Sequence, residues 1–240
     1  MTAAARLVRA GCSILVALGA LAAPAAQAQQ APVVVELFTS QGCIACPPAD
    51  AFFAELAENP GVIALALHVD YWDYLGWEDS FASPVFTQRQ KRYARAASAR
   101  MIYTPQVIVN GQDRVEGTRP QAIIDSIAAR AATPPRVTLS VTNGAGGLVI
   151  DLDADPPLDK AAVVQLVRYH PEQTIEIERG ENAGQTITYR NIVTDWTPIA
   201  DWPGKAPLRI EAPDPGDDPL VVIVQQAGPG PILAAARLDD

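Results

Sequence analysis

Apolar and polar positions follow two different rhythms along this chain, and the change between them divides it. Residues 33–38 (VVVELF) are a short, nearly continuous apolar run, as a buried strand requires. From Pro47 to Glu58 the spacing becomes helical, with Phe53, Leu56 and Ala57 on one face, and Asn59-Pro60-Gly61 ends it. Residues 62–69 (VIALALHV) predict a second buried strand. Ser83 is a good N-cap and Pro84 suits the first helical position, so a helix is predicted from about Pro84 to Ser98. Its Gln88, Arg89, Lys91, Arg92 and Arg95 read as a solvated basic face. Residues 106–109 (QVIV) predict a third strand. Asn110-Gly111 is a turn signal, residues 114–116 pair back as a fourth strand, and a helix over 119–132 closes the unit. The order is βαβαββα, with parallel pairs and an antiparallel hairpin at one edge.

After Thr133-Pro134-Pro135 the rhythm changes. Strand-like runs at 136–143, 148–153, 162–169, 174–178, 185–193, 208–211 and 220–225 are separated by turn signals such as Asn143-Gly144 and Asp155-Pro156-Pro157. Many short strands with regular punctuation predict a β-rich, sandwich-like domain over 136–240, following an α/β domain over 29–132.

The first residues have a different purpose. Arg6 and Arg9 precede the apolar run 14–23, and Ala26-Gln27-Ala28 is a small-x-small cleavage site. This order predicts a signal peptide over 1–28 and a secreted or periplasmic product with no stable membrane anchor after cleavage. Cleavage removes two Arg and no acid, so the exported chain is more acidic than the formal −9 of the whole sequence. Such a surface opposes binding to nucleic acid.

Export also removes Cys12, leaving Cys43 and Cys46. A bridge across two residues staples almost no chain entropy, so the spacing favours chemistry over stapling. Unpaired N–H groups at a helix start stabilise a thiolate and lower the thiol below its usual 8.5 or so. Such a thiolate attacks a partner disulfide, and the second cysteine resolves the mixed intermediate. Pro47 and Pro48 fit the first helical turn but disfavour helical geometry at Cys46.

With its CxxC after the first strand and its βαβαββα order, the sequence resembles the thioredoxin-like superfamily. More narrowly it resembles the DUF1223 family of secreted bacterial proteins, through VVVELFTSQGCIACPPAD, HVDYWDYLGW, YTPQVIVNG, GENAGQTITYRNIV and GPGPILAAARL. The resemblance implies a thioredoxin-like domain followed by the sandwich-like one. It also implies a cis bond at Thr104-Pro105 beside the dithiol, and a buried acid, Glu36, that exchanges protons with the resolving cysteine. The dipeptide Ile44-Ala45, the lack of a Trp before Cys43 and the appended β-domain depart from thioredoxin itself.

The expected function is therefore extracytoplasmic thiol–disulfide exchange on a protein thiol or disulfide partner. Cys43 is the nucleophile, Cys46 the resolver, Pro105 the positioner on the substrate side, and Glu36 a proton acceptor. Two alternatives stand beside it: a Cu(I) metallochaperone, and a non-catalytic interaction scaffold. His68 and Asp70 alternate along one strand and so are expected to share a face, but two histidines in the chain make a poor metal set. No cofactor or metal site is assigned. The aromatic loop 71–77 is expected to act as a lid or interdomain surface, and the turn 180–184 to reach toward Cys43.

Overall fold

The computed structural model describes residues 31–240 except 145, 214–215 and 239–240, so the signal-peptide expectation lies outside the described residues. In chain order the elements are β1 (Val33–Thr39), α1 (Pro47–Ala57), β2 (Val62–His68), a 3-10 turn at Asp73–Leu75, α2 (Pro84–Ala96), β3 (Gln106–Val109), β4 (Asp113–Glu116) and α3 (Pro120–Ala131). Then follow β5 (Val137–Gly144), β6 (Gly147–Ala154), β7 (Ala162–Glu176), β8 (Thr186–Trp202), β9 (Leu208–Ala212), β10 (Leu220–Gln226) and β11 (Ile232–Leu238).

The expected thioredoxin-like domain followed by a separate sandwich is overturned by the sheet topology. One mixed, eight-stranded sheet runs β11-β10-β7-β8-β2-β1-β3-β4 through both halves, with three short helices among the described residues, and β5-β6-β9 form a second sheet not hydrogen-bonded into it. The physical reason lies at the edge of β2. That strand is buried along its whole length, and an open edge there would leave its backbone groups unpaired. β8 takes the edge in parallel, with Ala66 opposite Ile192. Asn191 adds a side-chain bond, donating from Nδ2 to the Ala64 carbonyl at 2.9 Å.

β7 and β8 supply the length for this. They form a hairpin of 15 and 17 residues, paired from Ala162–Trp202 to Glu176–Thr186. Three apolar clusters fill the layers. Val35, Leu37, Phe53 and Ile123 pack on the α1/α3 face. Val34, Phe38, Phe86 and Val221 pack on the α2 face. Leu148, Ile150, Val164 and Val222 pack under the small sheet. Alternation along β1 thus sends odd positions toward α1 and even positions toward α2.

Candidate functional site

Beyond Thr39 the chain turns into the cysteine loop. Cys43 and Cys46 are joined by a disulfide with their Cα atoms 5.4 Å apart. Cys46 is the N-cap of α1 and already has helical angles (φ −81°, ψ −38°), with Pro47 next. The expected restriction before proline gives way to local bonding. Cys46 N–H donates to the Cys43 carbonyl at 3.1 Å, and the Cys46 carbonyl accepts from Ala49 and Asp50 at 2.8 and 3.0 Å. Cys43 is 3% exposed and Cys46 0%, while Ile44 between them is 62% exposed.

Three elements hold this loop from outside. Buried Asn182, between β7 and β8, donates from Nδ2 to the Gln41 and Cys43 carbonyls at 2.8 and 3.0 Å. Trp77 Nε1 donates to Gln41 Oε1 at 2.7 Å. Trp72 packs on Gly42 so closely that a Cβ there would come 3.2 Å from the Trp72 Cβ. Trp72 Nε1 also donates to Thr104 Oγ1 at 2.7 Å, and the Thr104-Pro105 bond is cis. Gly117 closes the back of that proline, where a Cβ would meet Pro105 Cβ at 2.6 Å. Ala45, Thr104, Pro105, Met101 and Tyr103 then share one cavity of about 480 Å³. Met101 is 71% exposed at its edge.

Beneath the dithiol lies a buried polar cluster. Thr39 and His68 are register partners at the ends of β1 and β2, on the face that α1 covers. Thr39 Oγ1 donates to Asp50 Oδ1 at 2.7 Å. His68 Nδ1 lies 2.7 Å from Asp79 Oδ2, which also accepts from Gln41 N–H at 2.8 Å. Tyr189 from β8 meets the His68 ring edge-on at a centroid distance of 4.9 Å. Asp50 Oδ2, His68 Nε2 and the Tyr189 hydroxyl are all buried and without a hydrogen-bond partner. Burial pushes the Asp50 carboxyl up to about 7, outweighing the Thr39 hydroxyl and the His68 charge. Burial acts to raise Asp79 too, but the His68 charge and hydrogen bonds from His68, Gln41 and Phe81 hold it below the usual carboxylate range. Burial, then Asp50 and Asp79, push the Tyr189 hydroxyl up.

Glu36 is placed differently from the expectation. It is fully buried, but it is an even position of β1 and faces α2, away from Thr39 and Asp50. Arg89 grips it with two bonds, Nε to Oε2 at 2.5 Å and Nη2 to Oε1 at 3.0 Å, and the Tyr93 hydroxyl donates to Oε1 at 2.6 Å. Arg89 is consequently buried and is not part of a solvated face. His68 and Asp70 do not share a site either, since Asp70 accepts from the Thr87 hydroxyl on α2 at 2.6 Å. Among the described residues no group of three or more His, Cys, Asp or Glu is arranged to hold a metal ion.

The structure therefore joins Cys43 to Cys46, sets Pro105 on a cavity that Ala45, between the two cysteines, also lines, and leaves Glu36 on the other face of the sheet. The turn 180–184 reaches the cysteine loop as expected, through Asn182; Asp50, Asp79 and Tyr189 are the site residues that sequence reasoning did not single out. Asp50 carried a readable signal: it lies one turn before Phe53 on the apolar face of α1, where an acid is out of place. Asp79 and Tyr189 gave no comparable sign.

The family model described as "Protein of unknown function (DUF1223)" matches residues 34–225. The crystal structure of protein AGR_C_4864 from Agrobacterium tumefaciens is similar, with 35% identity, a TM-score of 0.75, and coverage of 88% of this chain and 96% of that one. HBP35 of Porphyromonas gingivalis shares the fold at 18% identity and a TM-score of 0.57, over 87% of this chain and 75% of that one. No curated protein matches the chain.

Proposed function

We propose that this chain, which belongs to the DUF1223 family of proteins of unknown function, is a thiol–disulfide oxidoreductase acting on protein substrates outside the cytoplasm. The observation that carries the reading is the Cys43–Cys46 bond at the start of α1, alongside the cavity that Ala45 shares with Pro105. A bridge closing so short a loop contributes little to stability. Its placement supplies chemistry instead: the α1 N-terminus stabilises a thiolate at Cys43, and exposed Ile44 and Met101 offer a partner chain an apolar footing.

In the reducing direction, the Cys43 thiolate attacks one sulfur of the partner disulfide. That S–S bond breaks, and the leaving partner sulfur takes up a proton. Cys46 then gives its proton to Asp50, attacks the Cys43 sulfur and frees the second partner sulfur. The partner gains two electrons and two protons, and the Cys43–Cys46 bond reforms. The reverse sequence oxidises a partner dithiol. Asp50 suits the proton step better than Glu36. It follows Cys46 by four residues on the same helix face, it has an oxygen without a partner, and burial pushes it up to about 7. The reading includes export by the 1–28 leader.

Cys46→Ala should stop the sequence at the mixed disulfide. Mixing that variant with glutathione disulfide is expected to give a stable adduct on Cys43, found by mass spectrometry. The Cys43→Ala variant should give none on Cys46 at a comparable rate. Failure of Cys43 to form the adduct under conditions where a free peptide thiol does would contradict the function.

A further inference from the structure

A second cavity, of about 370 Å³, opens on the other face of the main sheet between α2 and the strands β7 and β10. Arg89, Arg92 and Arg95 line it together with Gln165, Gln225 and Gln226, and among the described residues no acidic one lines it. Positions 89, 92 and 95 recur every three residues, so one face of α2 sends all three guanidiniums the same way. In a chain of formal charge −9, this concentration of positive charge runs against the overall balance.

The three arginines are not equivalent. Arg89 is buried, with Nε and Nη2 engaged by Glu36, Tyr93 and Gln225, and its guanidinium lies 3.6 Å over the Trp196 ring. Among the described residues its Nη1 has no hydrogen-bond partner, and Arg89 lines the cavity. Glu36 pairs directly with Arg89. Arg92 and Arg95 are exposed at the rim, and among the described residues neither has an ion-pair partner. Desolvation, and then the charges of Arg89 and Arg95, hold the Arg92 guanidinium below its ordinary value. Placing like charges together around a recess is unfavourable until an anion enters it.

We propose that this cavity binds a small dianion carrying carboxylate or phosphate groups, with Arg92 and Arg95 as its ligands and the free Nη1 of Arg89 at its floor. Guanidinium forks match the oxygens of both groups in planar, paired hydrogen bonds. Two uncompensated rim charges suit a ligand of two negative charges. The site is separate from the dithiol and does not depend on the redox reading.

Calorimetric titration of the full chain with inorganic phosphate and, separately, with malonate tests this. At least one ion is expected to bind at millimolar concentration or below, with about 150 mM NaCl present to screen loose surface attraction. Arg92→Ala and Arg95→Ala should each weaken binding by about tenfold, the loss of a charge-assisted contact. Arg92→Lys should retain part of the affinity. Arg209→Ala, on a distant exposed pair with Asp151, should change nothing. Binding of phosphate alone would identify a phosphate ligand, and binding of malonate alone a dicarboxylate. The proposal is overturned if neither ion binds, if binding disappears in the salt, or if the Arg92 and Arg95 variants bind as the parent does.

Discussion

Two carboxylates are buried beside the first strand, one on each side of the sheet, and they are buried in opposite ways. Glu36 faces α2 and has its charge fully answered, by a two-point grip from Arg89 and a hydroxyl from Tyr93. Asp50 faces Thr39 and His68, receives one side-chain hydrogen bond, and keeps its other oxygen bare. Burial alone therefore does not separate a structural acid from a working one. What separates them is how much of the charge is already compensated. Burial with only one hydrogen bond pushes Asp50 up to about 7, so it can change state near neutral pH.

Removing Glu36 should have the largest effect on stability. Glu36→Ala leaves Arg89 buried without its counter-charge, which costs about 3–5 kcal/mol. Chemical denaturation should show that loss, while the dithiol of the surviving folded protein should react as before. An altered exchange rate in the folded fraction would break the distinction between the two acids.

Asp50 should show itself through pH. Its folded value lies above the unfolded one, so the native state binds the extra proton, and stability falls as pH rises from the unfolded value toward about 7. Between about pH 5 and pH 8 the parent protein should lose about 2–3 kcal/mol from this group, and Asp50→Asn should remove that slope. Asp79 acts in a different window. Its folded value is depressed, so its contribution is present above the unfolded value and is lost as pH falls through the folded one. Parallel pH curves for the parent and Asp50→Asn would show that Asp50 is not the group in question.

Asn182 sharpens the comparison from the other half of the chain. Asn182→Ala takes two side-chain bonds from the Gln41 and Cys43 carbonyls and should cost about 1–3 kcal/mol. It should also quicken alkylation of Cys43 in the reduced protein, because the loop loses its tether. The smallest effect belongs to the exposed Arg209–Asp151 pair, where Arg209→Ala should cost under about 1 kcal/mol.

The elements near the site were readable because their signals are local. The apolar run 33–38, the Ser83-Pro84 start of α2 and the strand 106–109 need no distant partner to be recognised, and the structure has β1 at Val33–Thr39, α2 at Pro84–Ala96 and β3 at Gln106–Val109. The architecture was not local, and it was misread. Two separate strands were expected at 162–169 and 174–178, yet β7 runs from Ala162 to Glu176 as one strand. β11 was missed because Ile232–Leu238 (ILAAARL) is rich in alanine, which has little strand preference until neighbours bury it. Nothing in the pattern of either half states that β8 will close the open edge of β2, because that depends on a pairing over a hundred residues apart.

The same division runs through the site. Cys43 and Cys46 are marked by spacing, and Pro105 was reached through family resemblance. Glu36 was also reached through family resemblance, but its partner Arg89 lay in a run of charges that looked solvated. The β1 alternation, which turns Glu36 away from α1, shows only once α1 and α2 are known to lie on opposite faces. The turn 180–184 was expected to reach toward Cys43, and its Asn182 does so by bonding the Gln41 and Cys43 carbonyls; Tyr189, in β8, gave no sign that it would pack on His68.

The reduction potential of the Cys43–Cys46 pair, measured at equilibrium against glutathione, tests the central claim most directly. A working oxidoreductase should settle between about −120 and −270 mV. A pair that glutathione cannot reduce, with a potential below about −300 mV, would be an inert structural bridge and would contradict the account.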